Sequence, residues 1–266
     1  SFEIRAAFLF TTMKNQAQLI CYVNRLGTGN IESLHGYLKR KLSPYFHSVH
    51  VLPFYTPIDG ADAGYDPINH QEVDQRLGTW DDVTKFSKDF VLVADLIVNH
   101  ISDESKEFKD VEAKGTESPY FDLFLTKDKV FPEGTNLEEI NKIYRPRPNR
   151  PFSVRKLNTG ESFEFWSTFS RSQLDIDVNS VSGQSYLNIL IEKFAKSGVK
   201  MLRLDAVGYA IKKAGSTCFM LPETYDYISE LTKSIHKHGM TTLAGVHAHY
   251  EVQIEIAKRV DYVYDF

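Results

Sequence analysis

Residues 90–98, Phe90-Val-Leu-Val-Ala-Asp-Leu-Ile-Val98, form an apolar run that only Asp95 interrupts. A continuous run of this length is typical of a parallel strand that is buried on both faces. Similar short runs occur at residues 17–23, 48–52, 199–204, 241–246 and 262–264, and helical patterns separate them. Strands that alternate with helices predict an α/β fold built on a parallel sheet.

The intervening helices show apolar residues at helical spacing. Residues 31–42 place Ile31, Leu34 and Leu38 on one side, and similar patterns occur at residues 187–194, 228–235 and 252–260. No Gly-x-Gly-x-x-Gly sequence opens a helix after a strand, which argues against a dinucleotide-binding sheet. The order of elements therefore favours a (β/α)8-type TIM barrel. About six of its eight strands are present, so we expect the barrel to be incomplete.

The alternation stops between Ile101 and Gly183. The stretch Tyr144-Arg-Pro-Arg-Pro-Asn-Arg-Pro151 is rich in proline, which predicts an extended or looped backbone. Aromatic residues elsewhere in this segment indicate that it packs into a small domain, domain B, inserted after strand three. We therefore divide the chain into a partial catalytic barrel at 13–100 and 184–266 and an inserted domain at 101–183. Residues 1–12 are predicted to be an extension outside the fold.

Composition narrows the functional class. The formal net charge is −4 and the pI is about 6.1, which gives no support for binding nucleic acid or an anionic membrane. No apolar stretch approaches the roughly 20 residues of a membrane span. Cys21 and Cys218 are the only cysteines, too few for a disulfide framework, so we expect a cytoplasmic protein. The sequence does not indicate an oligomeric state.

Polar residues follow the predicted strands at the end where βα-barrels hold their active sites. They are Asp59, Asp62, Tyr65 and Asp66 after strand two, Asp95, Asn99 and His100 at strand three, Arg203 and Asp205 at strand four, and His247 and His249 at strand five. Taken singly, each has an ordinary structural explanation, such as a carboxylate that hydrogen-bonds to nearby backbone or an isolated salt bridge. Together they predict a polar pocket.

Within this set, Arg203 and Asp205 give the most specific indication of an active site. Residues two apart in a strand point to the same side, so the guanidinium and the carboxylate face one cavity. A neighbouring arginine lowers the pKa of a carboxylate and keeps it ionised, which suits a nucleophile. A structural salt bridge remains an alternative for this pair alone.

Three segments of the chain resemble signature segments of the α-amylase family of glycoside hydrolases: Asp95-Leu-Ile-Val-Asn-His100, Gln173-Leu-Asp-Ile-Asp177 and Arg203-Leu-Asp205. Within that family, the chain resembles the sucrose phosphorylases over residues 13–266. The resemblance is carried by Leu52-Pro-Phe-Tyr-Thr-Pro-Ile-Asp-Gly-Ala-Asp-Ala-Gly-Tyr-Asp-Pro67, Ile143-Tyr-Arg-Pro-Arg-Pro148, Arg203-Leu-Asp-Ala-Val-Gly-Tyr209 and Val263-Tyr-Asp-Phe266.

The resemblance implies a retaining double displacement without cofactor or metal, in which sucrose and phosphate give α-glucose 1-phosphate and fructose. These small molecules would be the partners of the chain. By position, Asp205 matches the nucleophile and Arg203 the group that orients it. The remaining matches are substrate-binding residues: Asp62, Tyr65 and His100 for the glucosyl unit, Phe169 and Gln173 from the insertion, Tyr144 and Arg147 near the acceptor side, and His247 after strand five.

The chain departs from the family pattern at strand five. The family places an acid/base glutamate two residues before a histidine, but Gly245 holds that position ahead of His247. Glu223 and Glu251 are poorly placed as substitutes. A further family carboxylate belongs to strand seven, and the chain ends at the sixth strand. We therefore expect impaired activity and, because the sheet is unclosed, poor stability.

Three alternatives stay open besides an impaired phosphorylase. The first is a related sucrose or α-glucoside hydrolase. The second is a sugar-binding pseudoenzyme, because the residues that bind the glucosyl unit are retained. The third is a fragment without independent function.

Overall fold

The computed structural model describes residues 17–57, 59 and 62–264. The predicted extension at residues 1–12 lies outside the described residues, as does the start of the predicted barrel at residues 13–16.

Within the described residues the strands are β1 (Ala17–Cys21), β2 (Phe46–Val51), β3 (Tyr55–Pro57), β4 (Pro67–Val73), β5 (Val91–Ile97), β6 (His100–Ser102), β7 (Phe152–Lys156), β8 (Ser162–Trp166), β9 (Gln173–Asp175), β10 (Met201–Asp205), β11 (Thr241–Gly245) and β12 (Tyr262–Val263). The α-helices are α1 (Ile31–Lys41), α2 (Trp80–Phe86), α3 (Lys106–Lys114), α4 (Lys127–Val130), α5 (Leu137–Lys142), α6 (Val181–Lys196), α7 (Pro222–Lys237) and α8 (Tyr250–Ala257). Among these helices, none is both long and apolar enough to cross a lipid bilayer.

The main sheet has the strand order β1-β2-β5-β10-β11-β12. Every pairing in it is parallel, and β10 lies between β5 and β11. Helices connect successive strands, as in a βα-barrel, but the described strands form an open half-barrel. The prediction of an incomplete (β/α)-barrel is confirmed.

The sequence explains where the elements of this sheet begin and end. The interior of β5 is fully buried at Val93, Ala94 and Leu96, as its apolar run predicted. Helix α2 begins after Thr79, whose side chain accepts a hydrogen bond from the Asp82 backbone while Asp82 accepts one in return. Helix α6 begins at Val181, ahead of the apolar pattern at residues 187–194, because the Ser180 side chain caps it.

The segment between β5 and α6 is built differently from the rest. Strands β6 and β9 pair antiparallel at its base, and β7 and β8 form an antiparallel hairpin. Aromatic side chains pack together inside it: Phe108, Phe121, Phe124, Phe163 and Phe165. We keep the division into a barrel and an inserted domain at 101–183 as a proposal.

Candidate active site

Asp205 ends β10 and forms an ion pair with Arg203 on the same strand. Nη1 of Arg203 donates to Oδ1 of Asp205 at 2.7 Å and to Oδ1 of Asp95 at 2.6 Å. Arg203 and Asp95 are directly paired in the register of β10 and β5. One guanidinium nitrogen therefore links the carboxylates of two neighbouring strands, and this link fixes the orientation of Asp205.

Asp95 is itself held by groups from β2 and β3. Nε2 of His50 lies 2.9 Å from Oδ2 of Asp95, and both side chains are buried. The Tyr55 hydroxyl donates to the Asp95 backbone carbonyl at 2.6 Å. Asp95 thus belongs to the polar network of the pocket, whereas its sequence context alone favoured simple hydrogen bonds to nearby backbone.

The electrostatic balance at Asp205 differs from the sequence expectation. Arg203 does act to lower the pKa of Asp205, but burial has the larger effect, and the pKa of this carboxyl is raised above its usual value. Asp95 raises the pKa further, and His100 lowers it. Asp205 is therefore a desolvated carboxylate that depends on its arginine for the charged form.

A second group of side chains joins Asp62, His100 and Gln173. The Gln173 amide donates to Oδ2 of Asp62 at 2.8 Å, and its nitrogen lies 3.2 Å from Nε2 of His100. His100 also lies 2.8 Å from the carbonyl oxygen of Tyr65, to which it donates. The Phe169 ring packs against the His100 ring with centroids 4.9 Å apart. The predicted glucosyl-binding residues therefore meet in one place.

Tyr65 connects this group with the β10 residues. Its ring lies below the Arg203 guanidinium, 5.6 Å from ring centroid to Cζ. Asp66, the next residue, is fully buried. Burial, together with the nearby Asp62 charge, raises the pKa of Asp66 to about 6.

The proline- and arginine-rich loop closes one side of the pocket. Nη2 of Arg147 donates to Oδ1 of Asp62 at 2.7 Å, and the guanidinium lies 6.0 Å from the centre of the Phe169 ring. Tyr144 stacks nearly parallel on Tyr209, with centroids 6.2 Å apart. Residues 141–148 and Thr217 line an open cavity of about 640 Å³. The loop thus brings aromatic surface and positive charge to the pocket.

Gly245 ends β11 directly beside Asp205, its partner in the register of the two strands. A Cβ atom added at Gly245 would lie 2.8 Å from Nη2 and 2.9 Å from Cζ of Arg203. The guanidinium therefore occupies the space into which a side chain at position 245 would first extend. His247 follows two residues later and is exposed.

The carboxylates weighed as substitutes have partners elsewhere. Glu223 pairs with Lys213 at 2.5 Å, and Glu251 lies 3.6 Å from Nδ1 of His249. These groups are substantially exposed, which is consistent with the expectation that neither carboxylate replaces the missing one. Asp59, named in the sequence as a strand-end residue, pairs with the exposed Arg76 at 2.7 Å.

Sequence reasoning missed several residues of this region. His50 was missed although it lies between Val49 and Val51 near the end of β2, which is a detectable signal. Tyr209 was quoted in a family segment without a role, yet its ring contacts both Tyr144 and Phe169. Lys212 is buried and binds Asp175 at 2.6 Å and Asn99 at 2.7 Å. Its local sequence gives no sign of this contact.

Comparisons with known proteins agree with this architecture. Residues 29–259 match the catalytic domain of the α-amylase family. The chain is 49% identical to a sucrose phosphorylase of Bifidobacterium adolescentis over 96% of its own length and 50% of that protein. It is 47% identical to a sucrose phosphorylase of Agrobacterium vitis, over 96% of this chain and 52% of the relative. The chain thus spans about half the length of the curated relatives it matches.

A solved structure also resembles this chain over most of its length. The crystal structure of sucrose 6F-phosphate phosphorylase from Thermoanaerobacter thermosaccharolyticum superposes with a TM-score of 0.90 at 37% identity, over 96% of this chain and 53% of that one. The resemblance inferred from the sequence motifs is confirmed. The chain belongs to the α-amylase family of glycoside hydrolases.

Proposed function

We propose that the chain carries the donor half of a sucrose phosphorylase-type active site and transfers a glucosyl unit by retaining double displacement. The observation that supports this most is the convergence of two groups. Asp205 is held by Arg203, which also binds Asp95, and Asp62, His100 and Gln173 meet beside it. Such a group of fixed donors and acceptors, around the largely desolvated carboxylate of Asp205, suits recognition of sugar hydroxyls next to a nucleophile.

In this proposal Asp205 attacks the anomeric carbon of the donor and forms a β-glucosyl ester. Arg203 keeps the carboxylate ionised and aimed, because its Nη1 binds Oδ1 of Asp205. Asp62, His100 and Gln173 hold glucosyl hydroxyls, and Tyr65 and Phe169 supply aromatic walls. Arg147 and Tyr144 lie on the acceptor side, where an arginine suits phosphate, and His247 is a further substrate-binding residue.

Sucrose cleavage needs a proton for the departing fructosyl oxygen, and Gly245 has none to give. General acid–base catalysis is typically worth about 10²–10⁴-fold. We therefore propose that phosphorolysis of sucrose is impaired in this chain by a factor of that order. The acceptors in the family reaction are small molecules, and we propose no cofactor and no metal.

The test is covalent labelling with α-glucosyl fluoride, a donor whose leaving group needs little protonation. Intact-mass spectrometry of the full-length protein should show addition of one glucosyl unit. Peptide mapping should then place that unit on Asp205. Asp205→Asn is the matched variant, because it preserves size and removes the nucleophile. Labelling that persists in this variant, or that maps elsewhere, contradicts the assignment.

A sugar-binding pseudoenzyme is the second candidate, and the intact Asp62–Gln173–His100 group favours it. Calorimetry with sucrose separates the two functions: binding without any glucosyl adduct supports the pseudoenzyme. A hydrolase is distinguished by release of free glucose from glucosyl fluoride at the same rate with and without phosphate.

Cys21 and Cys218 are free and buried, and we place the protein in the cytoplasm on that basis.

A further inference from the structure

His50 is a buried polar residue of β2 to which the proposed function assigns no role. Its side chain is 1% exposed, and its Nε2 lies 2.9 Å from Oδ2 of Asp95. Asp95 in turn accepts a hydrogen bond from Arg203, which also binds Asp205. His50, Asp95 and Arg203 therefore form a continuous series of contacts across β2, β5 and β10 that ends at the proposed nucleophile.

The register of the main sheet places these side chains on one face. His50 pairs with Val93 on β5, and Asp95 lies two residues further along that strand. Asp95 pairs with Arg203 on β10. Side chains two residues apart in a strand point to the same side. His50 therefore reaches Asp95 on the face of the sheet where Arg203 also lies.

The surroundings of His50 indicate which ring nitrogen carries its proton. Nδ1 is buried and has no hydrogen-bond partner among the described residues. A proton on Nδ1 would be a buried donor without an acceptor, which is unfavourable. A neutral ring with its proton on Nε2 instead satisfies the contact with Asp95. We therefore treat His50 as a neutral donor to the Asp95 carboxylate.

Arg203 is shared between two carboxylates. Its Nη1 lies 2.6 Å from Oδ1 of Asp95 and 2.7 Å from Oδ1 of Asp205. The Asp95 side chain is fully buried, whereas 16% of the Asp205 side chain is exposed. A carboxylate that solvent cannot reach depends more strongly on protein donors. Without a second donor, Asp95 would therefore draw the guanidinium away from Asp205, and His50 supplies that second donor.

We propose that His50 is a positioning residue that acts through Asp95 and keeps the Arg203 guanidinium on the nucleophile. The inference rests on the proposed function, because it concerns how Asp205 is aimed and kept ionised. When His50 is removed, Oδ2 of Asp95 loses its donor and takes up a larger share of the Arg203 hydrogen bonds. Asp205 then loses part of the positive charge that opposes its desolvation.

Other titratable groups face the same two carboxylates. Arg203 and His100 act to lower the pKa of Asp205, and Asp95 acts to raise it. The charge of Asp95 also acts to raise the pKa of the groups packed around it: Tyr22, Tyr55, Tyr65, Tyr264 and His70. Burial raises the pKa of the four tyrosines and lowers that of His70 to about 3. These five groups therefore stay neutral near pH 7, and His100 is common to every variant compared below.

The experiment compares His50→Leu with His50→Gln in the full-length protein. Leucine removes the donor, whereas the glutamine amide can place an N–H near the position of Nε2. In His50→Leu, the pH below which labelling by α-glucosyl fluoride declines should move to a higher value, because Asp205 is protonated more readily. The labelling rate above that pH should fall by up to about 10²-fold, the scale of a misplaced reacting group. His50→Gln should keep the profile of the unmodified protein.

Tyr55→Phe is the control for the loss of a buried hydrogen bond at the same place. The Tyr55 hydroxyl donates to the backbone carbonyl of Asp95 and not to its carboxylate. Its removal should lower the melting temperature without moving the pH at which labelling declines. An equal movement of that pH in Tyr55→Phe would assign the effect to general loosening and overturn the inference.

A second measurement does not depend on activity. Carbon-13 NMR of protein labelled at the aspartate carboxyl groups follows the titration of Asp205, whose signal is identified by its loss in Asp205→Asn. We expect Asp205 to titrate at a higher pH in His50→Leu than in the unmodified protein or in His50→Gln. If His50→Leu does not fold, nitrogen-15 NMR of the histidine rings decides: His50 should carry its proton on Nε2 alone, and a proton on Nδ1 overturns the inference.

The outcomes separate the inference from the proposed function. An Asp205 titration that stays in place or moves to lower pH in His50→Leu overturns the inference, and labelling of Asp205 in the same protein leaves the proposed function in place. A glutamine variant that shifts as far as the leucine variant also overturns it, because the donor would then not matter. An Asp205 titration that moves as expected, in a protein that glucosyl fluoride does not label, supports the control by His50 and overturns the proposed function.

Discussion

The ends of β10 and β11 lie side by side in one sheet and differ completely in what they present to the pocket. At the end of β10, Asp205 is bound by Arg203, which also binds Asp95. At the end of β11, Gly245 has the same strand conformation and the same register but offers no side chain. The fold therefore anchors a carboxylate at the end of one strand and leaves the paired position of the next strand without a side chain. High structural similarity to a phosphorylase reports the scaffold, and the reaction has to be argued from the side chains.

Removing the group that β10 supplies should have the largest effect. Asp205→Asn should lower covalent labelling by α-glucosyl fluoride by about four orders of magnitude or more, on the scale seen when a covalent nucleophile is lost. The rate of adduct formation by mass spectrometry is the measurement. Asp59→Asn is the control, because this exposed carboxylate pairs with Arg76 and its loss should leave labelling unchanged. Similar losses in both variants would contradict the role of Asp205.

Adding the group that β11 lacks should have the next largest effect. Gly245→Glu should increase sucrose phosphorolysis by about 10²–10⁴-fold, because it supplies a proton donor beside Asp205. The new side chain requires the end of Arg203 to shift, since a Cβ atom at 245 would contact its guanidinium. Release of fructose under saturating phosphate is the measurement. An equal gain in Gly245→Gln would show that shape, not acidity, limits the site.

Removing the Arg203 charge should change the pH dependence of the labelling of Asp205. Burial already raises the pKa of Asp205, and Arg203 opposes that effect. Arg203→Met should therefore raise the pKa of Asp205 further, because the opposing positive charge is removed. Asp205 must be ionised to act as a nucleophile, and its negative charge is lost as the pH falls through its pKa. The pH below which the labelling rate declines should therefore move to a higher value in the variant. The labelling rate across a pH series tests this, and a decline that stays at the same pH, or that Arg76→Met moves equally, would argue against it.

Asp66, a buried carboxyl group without a cation comparable to Arg203, should affect the pH dependence of stability instead of the labelling rate. Burial raises the pKa of Asp66 from 3.8 to about 6. The folded state therefore favours the protonated form, and stability falls as the pH rises from about 4 to about 6 and stays lower above that range. The shift corresponds to about 3 kcal/mol of unfolding free energy. Asp66→Asn should remove this decline.

Urea unfolding at several pH values measures the effect at Asp66. Asp59→Asn serves again as control, because that side chain is exposed and should leave the pH dependence as it is. A decline that survives in Asp66→Asn would assign it to another carboxyl group.

The sequence predicted the scaffold better than the contacts within the pocket. The apolar run at β5 and the helical spacing of Ile31, Leu34 and Leu38 in α1 are local signals, and they placed those elements correctly. The contact between His50 and Asp95 joins residues 45 positions apart, and no local pattern reports it. Arg203 illustrates the same limit: its influence on Asp205 was expected, but the larger effect of burial depends on packing that only the folded chain shows.

Loop positions were the least predictable. Asp59 and Asp62 lie three residues apart in one segment, and both were expected at the pocket. Asp62 meets Gln173 and Arg147, whereas Asp59 pairs with Arg76 at the surface. The direction of each side chain depends on how the segment turns, and spacing in the sequence does not fix that turn.

In the proposed function, the salt bridge between Arg147 and Asp62 makes sugar binding an exchange of partners at Asp62. A hydroxyl group that binds the Asp62 carboxylate has to compete with a tethered cation that already occupies one of its oxygens. The observed affinity of the ligand is therefore lower than its intrinsic affinity, because binding also has to displace this cation. Added salt weakens a partly exposed ion pair such as this one, so neutral sugars should bind more tightly as salt rises, while anionic ligands should bind less tightly.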